Sequence, residues 1–197
     1  QVLKIMRETY PDVPVILDVK RGDIGSTATM YAREAFDHYK ADAVTVNPYM
    51  GGDTLKPFLD DAEKGVVVLC RTSNPGSVDF QDLRIQGDGR RLFEIVAEKA
   101  AKEWNYNNNV ALVAGATFPD DLGCIRSIIG DIPLLVPGVG AQGGDVEAVL
   151  KHGLDSRGEG LVINSSRGIL YAGRSTDFAT RAREATLLLR DQINSLR

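Results

Sequence analysis

Six short apolar runs recur along the chain, and a stretch with helical spacing follows each of them. The runs are Val15–Val19, Ala43–Val46, Val66–Leu69, Val110–Ala114, Pro133–Val136 and Leu161–Ile163. They are apolar nearly throughout instead of alternating, which is the pattern of strands covered on both faces. The helical stretches fall at about 25–39, 54–64, 90–104, 119–129, 144–152 and 177–195. A βα unit repeated in this way predicts an α/β fold with a parallel sheet or barrel.

Ahead of the first run, Val2, Leu3, Ile5 and Met6 form an apolar helical face that leads into Pro11. A helix in this place is expected to cross over from an earlier strand. The expectation is therefore a (β/α)8 TIM barrel represented from its third strand to its eighth. The first two βα units, roughly 60 residues at the usual repeat length, are expected to be absent from the sequence. With 197 residues, 43% of them hydrophobic, the chain is expected to form a single (β/α)-barrel domain over residues 1–197.

The formal charge of -4 argues against a general nucleic-acid binder, which favours a basic face. It leaves room for an anionic small molecule, because one arginine and a helix N-terminus can hold a phosphate. Cys70 lies in a strand and Cys124 in a helix, with no CxxC spacing, so both read as reduced residues of a cytoplasmic protein. His38 and His152 are isolated on helices, and neither is expected to bind metal or act as a base. No apolar run approaches membrane length, and no secretory signal precedes the first strand, so no membrane partner is expected.

The chemistry is concentrated in Val15-Ile-Leu-Asp-Val-Lys-Arg-Gly-Asp-Ile-Gly-Ser-Thr27. Asp18 and Lys20 are two apart and so point to one face of a strand. Asp23 follows a Gly22 turn, just ahead of the next helix. A solvated charged turn is the plain alternative. It is the weaker reading, because Asp18 and Lys20 belong to the strand itself, where charges flanked by apolar residues are costly unless paired or used.

Pro137-Gly-Val-Gly-Ala-Gln-Gly-Gly-Asp145 contains G-x-G-x-x-G at Gly138, Gly140 and Gly143. Its late position argues against a dinucleotide fingerprint, which sits in the first βα turn. Barrels commonly bind phosphate with the loops after their seventh and eighth strands, and this loop and the next would supply them. Gln142 can donate from its side chain, and Arg167, in Asn164-Ser-Ser-Arg-Gly168, offers a planar fork suited to phosphate oxygens. Ser73 ends the third run and is equally readable as a contact to a base edge or as the start of the Asn74-Pro75 turn. Asn47-Pro-Tyr-Met-Gly-Gly52 would be a pocket wall at most. The long segment from Asn74 to Arg90 follows a strand and is expected to act as a closing lid.

Asp18, Lys20, Arg21, Asp23, Ile24 and Thr27 form D-x-K-R-x-D-I-x-x-T, which resembles the signature of the orotidine 5'-phosphate decarboxylases. The similarity extends over essentially the whole sequence. It implies a lyase of UMP synthesis that works without cofactor on OMP. Lys20 would donate a proton to C6 of the pyrimidine, and Asp18 would crowd the substrate carboxylate. Asp23, Ile24 and Thr27 would enter the site of a second subunit, which makes a homodimer the expected partner. Ser73 would meet the pyrimidine. Pro137, Gln142, Ser166 and Arg167 would surround the phosphate, with Ser166 standing where glycine is usual in the family. The resemblance also implies a further aspartate and lysine from the two preceding strands, without which these residues would lack part of the site. The nearest rival reading is a magnesium-dependent sugar-phosphate decarboxylase or aldolase of the same barrel superfamily. Those enzymes look similar around D-x-K-x-x-D but lack the R-x-D-I-x-x-T continuation.

Overall fold

A computed structural model describes residues 2–139 and 144–197. Its elements in order are α1 (Val2–Thr9), β1 (Ile16–Arg21), α2 (Gly25–Arg33), β2 (Ala43–Val46), α3 (Gly52–Leu59), β3 (Gly65–Arg71), α4 (Leu92–Lys99), β4 (Val110–Ala114), α5 (Pro119–Ile129), β5 (Leu134–Pro137), α6 (Val146–Gly153), β6 (Leu161–Asn164), α7 (Arg167–Leu170) and α8 (Phe178–Leu196). The strand order is the chain order, β1 to β6. The β1–β2, β2–β3 and β5–β6 pairs are all parallel. Every apolar run read from the sequence is a strand. The longer predicted helices at 25–39 and 90–104 are realised as α2 and α4, each continued by a π-helical turn, Glu34–His38 and Ala100–Trp104.

The chain groups into two compact units. The first comprises Gln1–Leu69 and Glu98–Leu112. Its core is made by the apolar faces of β2 and β3 with α3: Val44, Val46, Val66 and Val68 are fully buried, as are Leu55, Phe58 and Leu59 within 1%. Each such side chain contributes about 1.5–3 kcal/mol on burial. Phe36 meets Phe58 edge to face, with centroids 6.4 Å apart. Asp42, just before β2, accepts from the Val15 amide at 2.8 Å and from the Arg7 guanidinium at 2.9 Å. This one carboxylate fixes α1 and the entry to β1 against the start of β2.

The second unit comprises Cys70–Ala97 and Val113–Arg197. Leu122 and Ile125 of α5, Leu134 and Val136 of β5, and Val149 of α6 form its apolar core. Within it lies a charged cluster. Arg71, only 2% exposed, donates to Asp121 at 2.9 Å, to Ser77 at 3.2 Å and to Asp82 at 3.2 Å. Its guanidinium also stacks over Phe118, 4.0 Å from the ring centroid. Arg91 donates to the other oxygen of Asp121 at 2.7 Å. Because Ser77 and Asp82 belong to the 74–90 segment, Arg71 pins that segment at its base. Thr72 and Gln81 add two reciprocal hydrogen bonds of 2.9 Å. The segment also carries a 3-10 turn at Pro75–Asp79 and an antiparallel bridge between Arg84 and Arg91.

Candidate active site

In the first unit the candidate residues sit on an irregularity in the sheet. β1 and β2 align Leu17 with Val44 and then Arg21 with Val46. Asp18, Val19 and Lys20 therefore stand opposite the single residue Thr45. This is a β-bulge, a device that re-aims side chains next to active sites. Lys20 takes up the surplus with a left-handed backbone, φ 49°. The outcome is an ion pair in which Lys20 Nζ lies 2.6 Å from Asp18 Oδ1.

The sequence placed these two groups on one face, and the structure joins them there. It corrects the expectation that they are charges embedded among apolar residues. The lysine side chain is 49% exposed and that of the aspartate 48%, so both keep much of their hydration. The bulge turns them outward at the strand's carboxyl end. The buried member of the group is one the sequence reading passed over. Thr45 is fully buried, and its hydroxyl joins the Lys20 amide and the Asp18 carboxylate, both at 2.9 Å. A single hydroxyl inside the apolar run Ala43–Val46 was the signal for it.

Asp23, Ile24 and Thr27 follow at the turn into α2. Asp23 accepts from the Ile24 amide at 2.8 Å, and Gly25 bends the chain with φ 53°. Ile24 is 63% exposed and Thr27 is also on the surface. α2 is fastened to the end of β1 by Arg21, which forks onto Glu34 at 2.7 and 3.1 Å and lies 4.6 Å over the Tyr31 ring.

In the second unit Ser73 sits just past β3, half-buried. Its backbone is held by the close approach of Gly115, where an added Cβ would come within 2.8 Å of the Ser73 amide nitrogen. Pro137 ends β5, and Ser166 and Arg167 begin α7; these three predicted residues line one small cavity of about 80 Å³ with Gly138 and Asn164. Arg167 is exposed and has no ion-pair partner among the described residues. Gln142, with Gly140 and Gly143, lies outside the described residues. At the flanks of that stretch Gly138 adopts φ 96°, and Val139 bridges Gly144. Among the described residues no three His, Cys, Asp or Glu side chains converge as metal ligands.

In each unit the candidate side chains stand at or just beyond the carboxyl ends of parallel strands, the arrangement of α/β enzymes of the βα-barrel class. Comparison with known proteins narrows this class. The chain belongs to the orotidine 5'-phosphate decarboxylase / HUMPS family, whose model matches residues 1–182. It is 56% identical over 197 residues to an orotidine 5'-phosphate decarboxylase of Ralstonia pickettii, covering 100% of this chain and 72% of that protein. Among solved structures, OMP decarboxylase of Leishmania donovani superposes with a TM-score of 0.86 at 44% identity, over 99% of this chain and 73% of that one. The UMP synthase of the same organism gives a TM-score of 0.87 at 45% identity, over 100% of this chain and 42% of that one.

Proposed function

We propose that the protein decarboxylates orotidine 5'-phosphate to UMP, with Lys20 as the proton donor. The observation that carries this reading is the Asp18–Lys20 pair, held at 2.6 Å on the β1 bulge with both side chains open to a ligand. In the proposed step the bond from C6 to the carboxylate breaks and carbon dioxide leaves with the electron pair remaining on C6. The Lys20 ammonium then gives its proton to that carbon. Asp18 holds the ammonium and presents negative charge to the departing carboxylate. One preorganised donor supplies about 3–4 kcal/mol. The remaining stabilisation is drawn from further charges and from phosphate binding energy realised in the transition state. The reaction as proposed takes no cofactor.

The phosphate is assigned to Arg167, to the Pro137–Ser166 cavity and to Gln142, and the pyrimidine edge to Ser73. The exposure of Ile24 and Thr27 beside Asp23 supports a homodimer in which this turn serves the partner's site. Two unpaired cysteines support a reducing compartment, the cytoplasm. Among the described residues no helix is long and apolar enough to cross a membrane.

The test is an ultraviolet assay of OMP loss by the purified protein and by Lys20→Ala, each with and without EDTA. EDTA-resistant turnover that disappears in Lys20→Ala, while UMP still binds, is the expected result. Turnover of a sugar phosphate that EDTA abolishes would replace this reading with the magnesium-dependent one.

A further inference from the structure

Parallel pairing normally satisfies each strand's amides through the neighbouring backbone. At the bulge this is interrupted, since Thr45 alone faces Asp18, Val19 and Lys20. The amide of Lys20 turns instead to the Thr45 hydroxyl at 2.9 Å, and the same hydroxyl reaches Asp18 Oδ1 at 2.9 Å. The proton arrangement follows from the groups themselves. An amide N–H can only donate and a carboxylate can only accept, so the hydroxyl accepts from Lys20 and gives its own hydrogen to Asp18. Asp18 Oδ1 thereby receives two donors, the Thr45 hydroxyl and the Lys20 ammonium at 2.6 Å.

We infer that Thr45 is a positioning residue for the decarboxylation, holding the left-handed backbone of Lys20 and the carboxylate of Asp18 in one fixed relation. The inference rests on the assignment of Lys20 as proton donor. Thr45 is fully buried in the first unit, which places it beneath the ion pair and away from solvent. Its hydroxyl ties the backbone of one partner to the side chain of the other. The ammonium and the carboxylate are long or exposed groups that sample several rotamers unless something locks them, and charge stabilisation depends on that preorganisation. A valine here has nearly the same shape and loses only the hydroxyl. It leaves the Lys20 amide without its acceptor and Asp18 without one donor.

The experiment compares the wild type with Thr45→Val and Thr45→Ser by steady-state kinetics on OMP, by thermal melting, and by hydrogen exchange at the Lys20 amide. Thr45→Val is expected to lower kcat by about 10- to 100-fold, the range for a lost hydrogen bond to a charged group, with KM changed much less. The Lys20 amide is expected to exchange faster. Thr45→Ser, which keeps the hydroxyl, is expected to restore both. A Thr45→Val enzyme with wild-type kcat, or a Thr45→Ser enzyme as impaired as Thr45→Val, overturns the inference. If the wild type does not turn over OMP, the functional reading fails separately, and amide exchange still decides the hydroxyl's role in holding Lys20. If Thr45→Val does not fold, the wild type is sufficient for that part: a Lys20 amide exchanging like a free one overturns it.

Discussion

Asp121 and Arg71 lie 50 positions apart in the chain and 2.9 Å apart in space, and the aspartate's second oxygen is given to Arg91 at 2.7 Å. One carboxylate therefore compensates two guanidinium groups, one of them almost wholly buried. Removing it leaves Arg71 with the longer contact to Asp82 at 3.2 Å and Arg91 with Glu94 at 3.4 Å, whereas removing Arg71 leaves Asp121 held by Arg91 at 2.7 Å. Asp121→Asn, which weakens charge-assisted hydrogen bonds to two guanidinium groups at once, is expected to cost about 1.5–3 kcal/mol and Arg71→Met less. Urea midpoints of the two variants check the order; a larger loss for Arg71→Met would contradict it.

Gly115 makes a second prediction through Ser73. A methyl group there would press on the Ser73 backbone at 2.8–2.9 Å, and backbone cannot swing aside as a side-chain tip can. Gly115→Ala is expected to cost about 1–3 kcal/mol, in the range of overpacking, and to move Ser73. Weaker binding of UMP by folded Gly115→Ala protein is the accompanying readout.

Arg167 has no competing carboxylate among the described residues, so its guanidinium is free to be used by an anion. Arg167→Ala is expected to raise KM for OMP by about 10- to 100-fold, the value of a charged hydrogen bond. Its effect on kcat should be smaller than that of Lys20→Ala. A loss of kcat equal to that of Lys20→Ala, at unchanged KM, would remove Arg167 from the binding role.

Acid should loosen two loops before it affects the apolar core. Backbone amides of Glu159 and Arg157 and the Arg157 side chain hold the Asp155 carboxyl below its usual 3.8. Burial works against ionisation of Asp42, yet the Val15 amide and Arg7 outweigh it and lower that carboxyl as well. Both folded values lie below the unfolded one, so this stabilisation is complete above about pH 4 and is lost as pH falls through the folded values. Urea midpoints measured between about pH 6 and pH 3 should fall over that window, and the fall should shrink in Asp155→Asn.

The two thiols should be slow to react. Burial raises Cys70 far beyond the ordinary thiol range, and it donates to the Phe93 carbonyl at 3.3 Å. Partial burial, with its hydrogen bond to Glu94 next, pushes Cys124 up to about 11. A disulfide reagent at about pH 8 is expected to label the folded protein slowly and the urea-unfolded protein quickly at both positions, since only the thiolate attacks. Rapid labelling of native Cys124 would contradict the Glu94 contact.

The strands were legible because apolar runs such as Val66–Leu69 leave a periodicity that the structure can only shift by a residue or two. Asp18 and Lys20 were legible because two-residue spacing on a strand fixes a shared face. What the sequence hid was the bulge. Nothing in Asp18-Val-Lys20 announces that three residues will answer one, since that depends on the register of β2, a neighbour 25 positions away. Thr45 was hidden with it, as an ordinary β-branched residue until its partner strand is in place. Arg71 was equally silent, since an arginine after an apolar run reads as surface until Asp121 and Phe118 close over it.

The left-handed conformation of Lys20 gives that position two incompatible optima. Holding a residue other than glycine there costs on the order of 1–3 kcal/mol. Glycine, or to a smaller extent asparagine, relieves that cost at once. Heat-based selection of a variant library, blind to turnover, would therefore enrich glycine at position 20 and discard the lysine. Selection for growth that depends on the protein's own turnover would do the reverse. The enrichment of glycine over lysine under heat reads out how much folding stability the chain gives up to keep an ammonium at the end of β1.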